Sequence, residues 1–159
     1  MATQSTVNVY QAPGIAGDFY DDSANFTFPA IAVSGAVVGN AVTYASAGTD
    51  PQLVQAGGSG AFAGIVVNGK ELLRANGLVA GLSVSSGTIV PVCDHGNIWV
   101  TVETAIEVGY IPTYNQATGA IGGYASGGSA ATSHAVIPDA SFIMTNAVSG
   151  GMAVLRLKN

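Results

Sequence analysis

Cys93, Asp94 and His95 are consecutive residues whose side chains can act as nucleophile, acid and base. A catalytic cysteine needs a lowered thiol pKa and a third group that orients its base, and a metal site needs further ligands at suitable spacing. The neighbouring sequence supplies neither. Asp94, His95 and Gly96 have the composition of a tight turn between two strands, where adjacent side chains point apart. We therefore interpret Cys93 as a buried core thiol and predict no catalytic residue, no metal site and no cofactor.

A second candidate is the carboxylate pair Glu103 and Glu107, four positions apart. Valines flank both residues, which indicates strand and loop, and there the two carboxylates are solvated charges. The glycine-rich stretches near residues 57 and 122 lack the Lys and Ser or Thr of a phosphate-binding loop. A small hydrolase remains as a third hypothesis that rests on Cys93 and His95 alone. The sequence predicts a protein that is not an enzyme.

Charge is the scarcest property of this chain. Its 159 residues include four Lys or Arg and nine Asp or Glu, for a net charge of −5. Soluble proteins ordinarily carry about 25% charged residues, which keep them apart in solution. A surface with so few charges suits permanent contact with neighbours, so we expect a homo-oligomer or a subunit of a larger assembly. Nucleic acid is excluded as a partner, since clustered cations are needed to neutralise phosphates.

The apolar residues are dispersed along the chain. The mean hydropathy is +0.43, yet no stretch approaches the roughly 18 uninterrupted apolar residues of a membrane-spanning helix. The first six residues have neither the basic region nor the apolar core of an export signal. We therefore expect no membrane partner and no secretion.

The 22 glycines separate short runs of Val, Ile, Thr and aromatic residues. Such a pattern is typical of many short strands joined by tight turns, so we predict an all-β fold of about a dozen strands. The architecture is a single small β-barrel or a two-sheet, jelly-roll-like sandwich. Residues 61–67 are the best candidate for a central strand, and residues 70–75 form at most one short helical turn. Residues 122–133 have the composition of a low-complexity loop.

The chain divides into an N-terminal arm, residues 1–19, and a single β domain, residues 20–159. Residues 6–10 alternate as a short strand, and Pro13 keeps the arm extended. This strand either adds to the sheet edge of another subunit or belongs to the barrel of its own chain. Trp99 alternates with Ile98, Val100 and Val102, which predicts an aliphatic core face and an opposite face on which Trp99 caps the domain or anchors an interface.

Four segments, taken in order, resemble the structural cement, or capsid decoration, proteins of tailed bacteriophages. They are residues 10–19 (YQAPGIAGDF), 62–66 (FAGIV), 90–100 (VPVCDHGNIWV) and 109–121 (GYIPTYNQATGAI). In that family an arm ending in a Gly-Asp-Phe element leads into a small β domain with a Gly-x-x-Trp-Val strand and an Ala-Thr-Gly-Ala turn. The resemblance spans most of the chain.

This resemblance implies a non-enzymatic protein, made in the host cytoplasm, that binds the outer surface of the virion capsid at capsomer junctions and stabilises the shell. Its expected partners are the major capsid protein and copies of itself, as a dimer or trimer. The candidate contact residues lie on the arm and on the tryptophan strand. They are Tyr10, Pro13, Ile15, Asp18, Phe19 and Trp99.

The alternative is a carbohydrate-binding or adhesin-like β domain of a phage tail or cell surface. Such a site would stack sugars on Trp99, Tyr110, Tyr114 and Tyr124, beside acidic or amide acceptors. The loop from residue 110 to 115 supplies few of those acceptors. Glycan binding would favour this alternative, and binding to expanded empty capsids would favour the cement hypothesis.

Overall fold

A computed structural model describes residues 14–45, 52–69, 82–143 and 147–158. These ranges form twelve strands and no helix. Within them, therefore, no helix has the length and apolar character needed to cross a membrane. The predicted strand 6–10 and the predicted helical turn 70–75 lie outside the described residues. The strands are β1 (Phe26–Ala32), β2 (Ala36–Val37), β3 (Ala41–Tyr44), β4 (Leu53–Ala56), β5 (Phe62–Val66), β6 (Ser83–Val84), β7 (Ile89–Thr101), β8 (Ile111–Asn115), β9 (Ile121–Tyr124), β10 (His134–Val136), β11 (Ala140–Ile143) and β12 (Met152–Lys158).

Five strands close into a barrel. Their order is β1, β4, β3, β5 and β7, and the pairing of β7 with β1 completes the circle. β1 runs parallel to β4, while the other neighbours are antiparallel. Closure removes the unpaired edges that an open sheet would expose. The all-β prediction is confirmed, in its barrel form, and β5 takes the central position predicted for residues 61–67.

Small apolar side chains fill the barrel. Alternation along β1 and β7 turns Ala30, Ala32, Val90 and Val92 inward, and each is at most 1% exposed. A barrel of few strands has a narrow interior that Ala and Val fit better than larger side chains do. The remaining fully buried members of this core are Ala36, Val38, Val42, Val54, Ala63, Val66 and Val84.

The second half of β7 leaves the barrel and builds a second core. It pairs with β12, which pairs in turn with β11. The aliphatic face predicted for this strand is confirmed, since Ile98, Val100 and Val102 are fully buried while Trp99 is half-buried. The three-stranded sheet β10-β8-β9 packs on the same core through side chains such as Tyr114.

The predicted turn at Asp94, His95 and Gly96 is wrong, because β7 continues through all three residues. Phe26 lies opposite His95 and Thr27 opposite Cys93, so Asp94 is the extra residue of a β-bulge. Gly96 has φ of +137°, and a Cβ at this position would lie 2.1 Å from Asn25 Oδ1. The glycine therefore permits a close approach on a bent strand, where we expected a turn.

The predicted loop 122–133 is also partly wrong. Its first residues belong to β9, which pairs with β8 in register from Ile111 opposite Tyr124 to Tyr114 opposite Ile121. The paired glycines of β9 lie opposite Pro112 and Thr113, so their small size fits a strand packed closely against its neighbours. Low complexity alone did not distinguish this strand from a loop.

Candidate functional site

The potentially nucleophilic thiol of β7, that of Cys93, is packed in the core. Cys93 is fully buried, and desolvation raises the pKa of its thiol to about 11. Its S–H donates to the backbone carbonyl of His95, with 3.2 Å between sulfur and oxygen. A nucleophilic cysteine needs the opposite conditions, a lowered pKa and access to substrate. The interpretation of Cys93 as a core residue is confirmed, and the hydrolase hypothesis loses its nucleophile.

Sequence reasoning missed a hydrogen bond between His134 of β10 and Glu103, which follows β7. His134 Nε2 contacts Glu103 Oε1, and Ser133 Oγ lies 3.4 Å from His134 Nδ1. The pair ties the three-stranded sheet to the end of the longest strand. The two residues are 31 positions apart, so only the tertiary fold brings them together. In the described part of the chain, no group of three or more His, Cys, Asp or Glu side chains is placed to hold a metal ion.

Residues 14–20 form a strap that runs alongside β7 and pairs with it. Phe19 bridges Ile98 in antiparallel fashion. Three backbone hydrogen bonds flank this bridge, from Gly17 N to Trp99 O (2.7 Å), from Trp99 N to Asp18 O (2.8 Å) and from Tyr20 N to Asn97 O (2.8 Å). The strap thus extends the sheet by one short strand on its own chain.

Gly17 and Asn68 hold the strap in place. Gly17 has φ of +87°, and a Cβ there would lie 2.4 Å from Val38 Cγ1. Only glycine fits this conformation without strain. Asn68 donates its backbone N–H to Gly17 O and its side-chain amide to Asp18 Oδ1, both at 2.9 Å. The Gly-Asp-Phe element is therefore the part of the strap that docks on the barrel.

The candidate contact residues occupy different environments. Asp18 and Phe19 contact their own domain, through Asn68 and the second core. Trp99 meets the edge of Tyr20 at 5.6 Å between ring centroids, and it lies so close to Gly14 that a Cβ there would be 2.3 Å from Trp99 Cδ1. Ile15 is 57% exposed. Tyr10 and Pro13 lie outside the described residues.

An uncharged apolar stripe runs over the outer face of the barrel. Ile31 lies between Ile89 of β7 and Leu53 of β4, and Pro29 lies opposite Pro91. Side chains directly opposite on paired strands share a face, so these five residues form one surface. Ile89 is 64% exposed. An exposed contiguous apolar surface of this kind is typical of an interaction site.

A family model described as "Structural cement protein (E217 gp24/Pam3 gp6)" matches residues 3–158. The chain belongs to this phage cement protein family. The resemblance inferred from the four sequence segments is thereby confirmed. Family membership implies a structural, non-enzymatic role in association with the phage capsid.

The fold of this cement protein also occurs in a solved structure. A chain of the structure titled "The capsid of Myoviridae Phage XM1" aligns with a TM-score of 0.72 at 16% identity, covering 100% of this chain and 99% of that one. A chain titled "The crystal structure of head fiber gp8.5 N base in bacteriophage phi29" aligns with a TM-score of 0.46 at 14% identity, covering 85% and 95%. At this identity the first likeness shows a shared fold. A search of curated proteins found no matching sequence.

Part of the sugar-stacking platform in the carbohydrate-binding alternative is engaged within the domain. Tyr114 is only 3% exposed, and its hydroxyl donates to the carbonyl of Gly58 at 3.3 Å. Tyr20 and Gly14 cover part of Trp99. Two of the four platform residues in the carbohydrate-binding alternative are therefore engaged in packing.

Proposed function

We propose that this protein binds the outer surface of the virion capsid where capsomers meet and holds neighbouring capsomers together. The observation that carries the proposal is the family match, which runs from residue 3 to residue 158. The partner is the major capsid protein, and many identical copies of this protein bind each capsid. Multivalency converts weak single contacts into a strong lattice.

The surface of the barrel supports this role. The apolar stripe carries no charge, and Ile15 of the strap is another exposed aliphatic side chain. Burying such surface against the shell supplies association free energy without the desolvation cost of charged groups. Sparse charge also favours self-association, so we propose a dimer or trimer as the unit that decorates the capsid.

The arm supports the role in a second way. The strap fixes Gly14 against Trp99, so the thirteen residues before it start from a defined point on the domain surface. A segment tethered at one end binds a neighbour at high effective concentration. We propose that residues 1–13, with Tyr10 and Pro13, contact the adjacent shell subunit, by strand addition or by apolar contact.

Capsids that lack this protein provide the test. Expanded empty capsids from a phage deleted for the gene are mixed with recombinant protein and sedimented. We expect saturable binding at a fixed number of copies per capsid subunit, and decorated particles that disrupt at a higher temperature than bare ones. Isolated capsid subunits serve as the control, since a junction site requires assembled capsomers. Absence of binding, or equal binding to isolated subunits, would contradict the proposal.

A further inference from the structure

Positive charge in the described ranges is confined to one cleft. The chain has four Lys or Arg residues in all, and the two in these ranges are Arg156 and Lys158 of β12. Both are exposed, and both line a cavity of about 320 Å³ at the bent part of β7. We call it the cationic cleft. Its lining residues are Ser23, Ala24, His95, Gly96, Asn97, Arg156, Leu157 and Lys158.

Strand register places the two cations on one face. Arg156 and Lys158 alternate along β12 and lie opposite Asn97 and His95 of β7. Side chains two apart on a strand, and those directly opposite on its partner, share a face. The four polar side chains therefore line one wall, and residues 23 and 24 of the segment before β1 line the other.

A hydrogen-bond chain orients the guanidinium. Arg156 Nε donates to Asn97 Oδ1 at 3.1 Å, and Asn97 Nδ2 donates to Asp21 Oδ2 at 2.8 Å. Asp21 also accepts from the Ser23 hydroxyl, and the positive charge of Arg156 acts on its carboxylate without a direct hydrogen bond. Within the described ranges, neither the terminal Nη groups of Arg156 nor Lys158 Nζ has a hydrogen-bond or salt-bridge partner. Arg156 is thus fixed at one nitrogen and open for bidentate contact at the other two.

An exposed aromatic ring borders the cleft. Phe26 is 62% exposed and meets His95 edge-on at 5.5 Å between ring centroids. Phe and Arg are both enriched in the central contacts of protein interfaces. The cleft lies at one end of the β1–β7 ladder, and the apolar stripe lies at the other.

We propose that the cationic cleft receives an acidic side chain of the major capsid protein, paired with Arg156 and Lys158 and covered by Phe26. This inference rests on the proposed function and names the chemistry of its contact. Arg pairs with carboxylates through two parallel hydrogen bonds. A second copy of this chain is disfavoured as the source because the proposed self-association rests on neutral surface, and the few charges of each copy sum to −5. Nucleic acid is disfavoured because two cations neutralise too few phosphates.

The test compares two double variants that remove the same charge. R156Q/K158Q neutralises the cleft, and K70Q/R74Q neutralises the other two cations of the chain. Binding to expanded capsids is measured at low and at high salt. We expect the cleft variant to bind about tenfold more weakly at low salt and to lose most of its salt dependence, because the contact is an ion pair. The control variant should stay within about threefold of wild type.

The outcomes separate this inference from the proposed function. If wild-type protein binds capsids and R156Q/K158Q binds equally well, the acidic contact is refuted while the proposed function stands. If wild type does not bind at all, the proposed function fails. If the cleft variant instead converts a wild-type oligomer to monomers in sedimentation, the acid comes from a second copy and the inference is overturned. Melting followed by circular dichroism checks that the variants fold. Phe26→Ser is a milder change at the same cleft, and we expect it to weaken capsid binding as well.

Discussion

Asp21, Asn97 and Arg156 show how single side chains on separate segments combine in this protein. Arg156 is 59 positions from Asn97, and Asn97 is 76 positions from Asp21. They meet only because β7 pairs with β12 on one side and with the strap on the other. Cys93 and His95 illustrate the converse, since residues that look catalytic by proximity in sequence are joined through a backbone carbonyl in a buried strand. Burial and register, more than spacing, decide what each residue does.

The buried thiol of Cys93 leads to a prediction about reactivity. Its raised pKa and full burial leave almost no accessible thiolate at pH 8. We expect a colorimetric thiol reagent to label native protein at least about 100-fold more slowly than protein unfolded in guanidinium, since labelling of a core residue requires an opening reaction. Rapid labelling of folded protein would show that β7 does not shield this side chain.

Asp21 leads to a prediction about acid stability. Hydrogen bonds from Ser23 and Asn97 lower the pKa of its carboxyl from the ordinary value of 3.8. A lowered folded-state pKa stabilises the fold above the unfolded-state value, and this stabilisation is lost as the pH falls through the folded-state value. The melting temperature of wild type should exceed that of Asp21→Asn at pH 6, and the gap should narrow at pH 3. Asp139→Asn, on an exposed turn, is the control. A gap that is the same at both pH values would contradict the role assigned to Asp21.

At the scale of elements, the strap and the bulge are the two features that a sequence pattern does not reveal. Alternation identified the buried face of β7 at Ile98 and Val100, because the alternating pattern of a strand can be seen in neighbouring residues of the sequence. The bulge at Asp94 was misread as a turn, since glycine serves both a turn and a close approach. The docking of Phe19 on Ile98 depends on a contact across 79 positions. Long-range pairing of this kind leaves no periodic signal.

The strap sets the boundary for a truncation experiment. Removal of residues 1–13 leaves all three backbone hydrogen bonds to β7 in place, so we expect a melting temperature close to that of the full chain and a loss of capsid binding. Removal of residues 1–19 also deletes the Gly-Asp-Phe element. At about 1 kcal/mol for each hydrogen bond, together with the lost burial of Phe19, this cut should lower the melting temperature on the order of 10 °C.

The two truncations are measured side by side by thermal melting and by co-sedimentation with expanded capsids. The shorter cut is the informative one because it leaves the described domain whole. If the protein without residues 1–13 binds capsids as tightly as the full chain, these residues do not contribute to capsid binding. If removal of residues 1–19 leaves the melting temperature unchanged, the strap adds nothing to the stability of the domain.

At the scale of the whole molecule, composition proved the most reliable guide. Abundant glycine and short β-branched runs predicted an all-β fold, and scarce charge predicted an exposed neutral surface, which the apolar stripe displays. Neither property specifies which strands close the barrel, because closure depends on the pairing of β1 with β7 between residues 58 to 69 positions apart. The candidate contacts on the arm and at Trp99 remain predictions.

The apolar stripe gives a prediction for the assembled particle. Ile89→Asp places a charge on the stripe at a 64% exposed position, whereas Val148→Asp places one at a 75% exposed valine outside it. Both side chains are exposed, so stability should change by less than about 1 kcal/mol in each variant. We expect Ile89→Asp to bind expanded capsids about tenfold more weakly and Val148→Asp to bind like wild type. Equal binding by the two variants would remove the stripe from the interface.

The most direct test of the central claim is a cryo-electron microscopy reconstruction of the intact phage that encodes this chain. The account predicts density for a closed five-stranded barrel on the outer surface of the capsid, repeated wherever capsomers meet, with residues 1–13 reaching an adjacent subunit. Density for the barrel on the tail or inside the shell, or a capsid that lacks it altogether, would contradict the account.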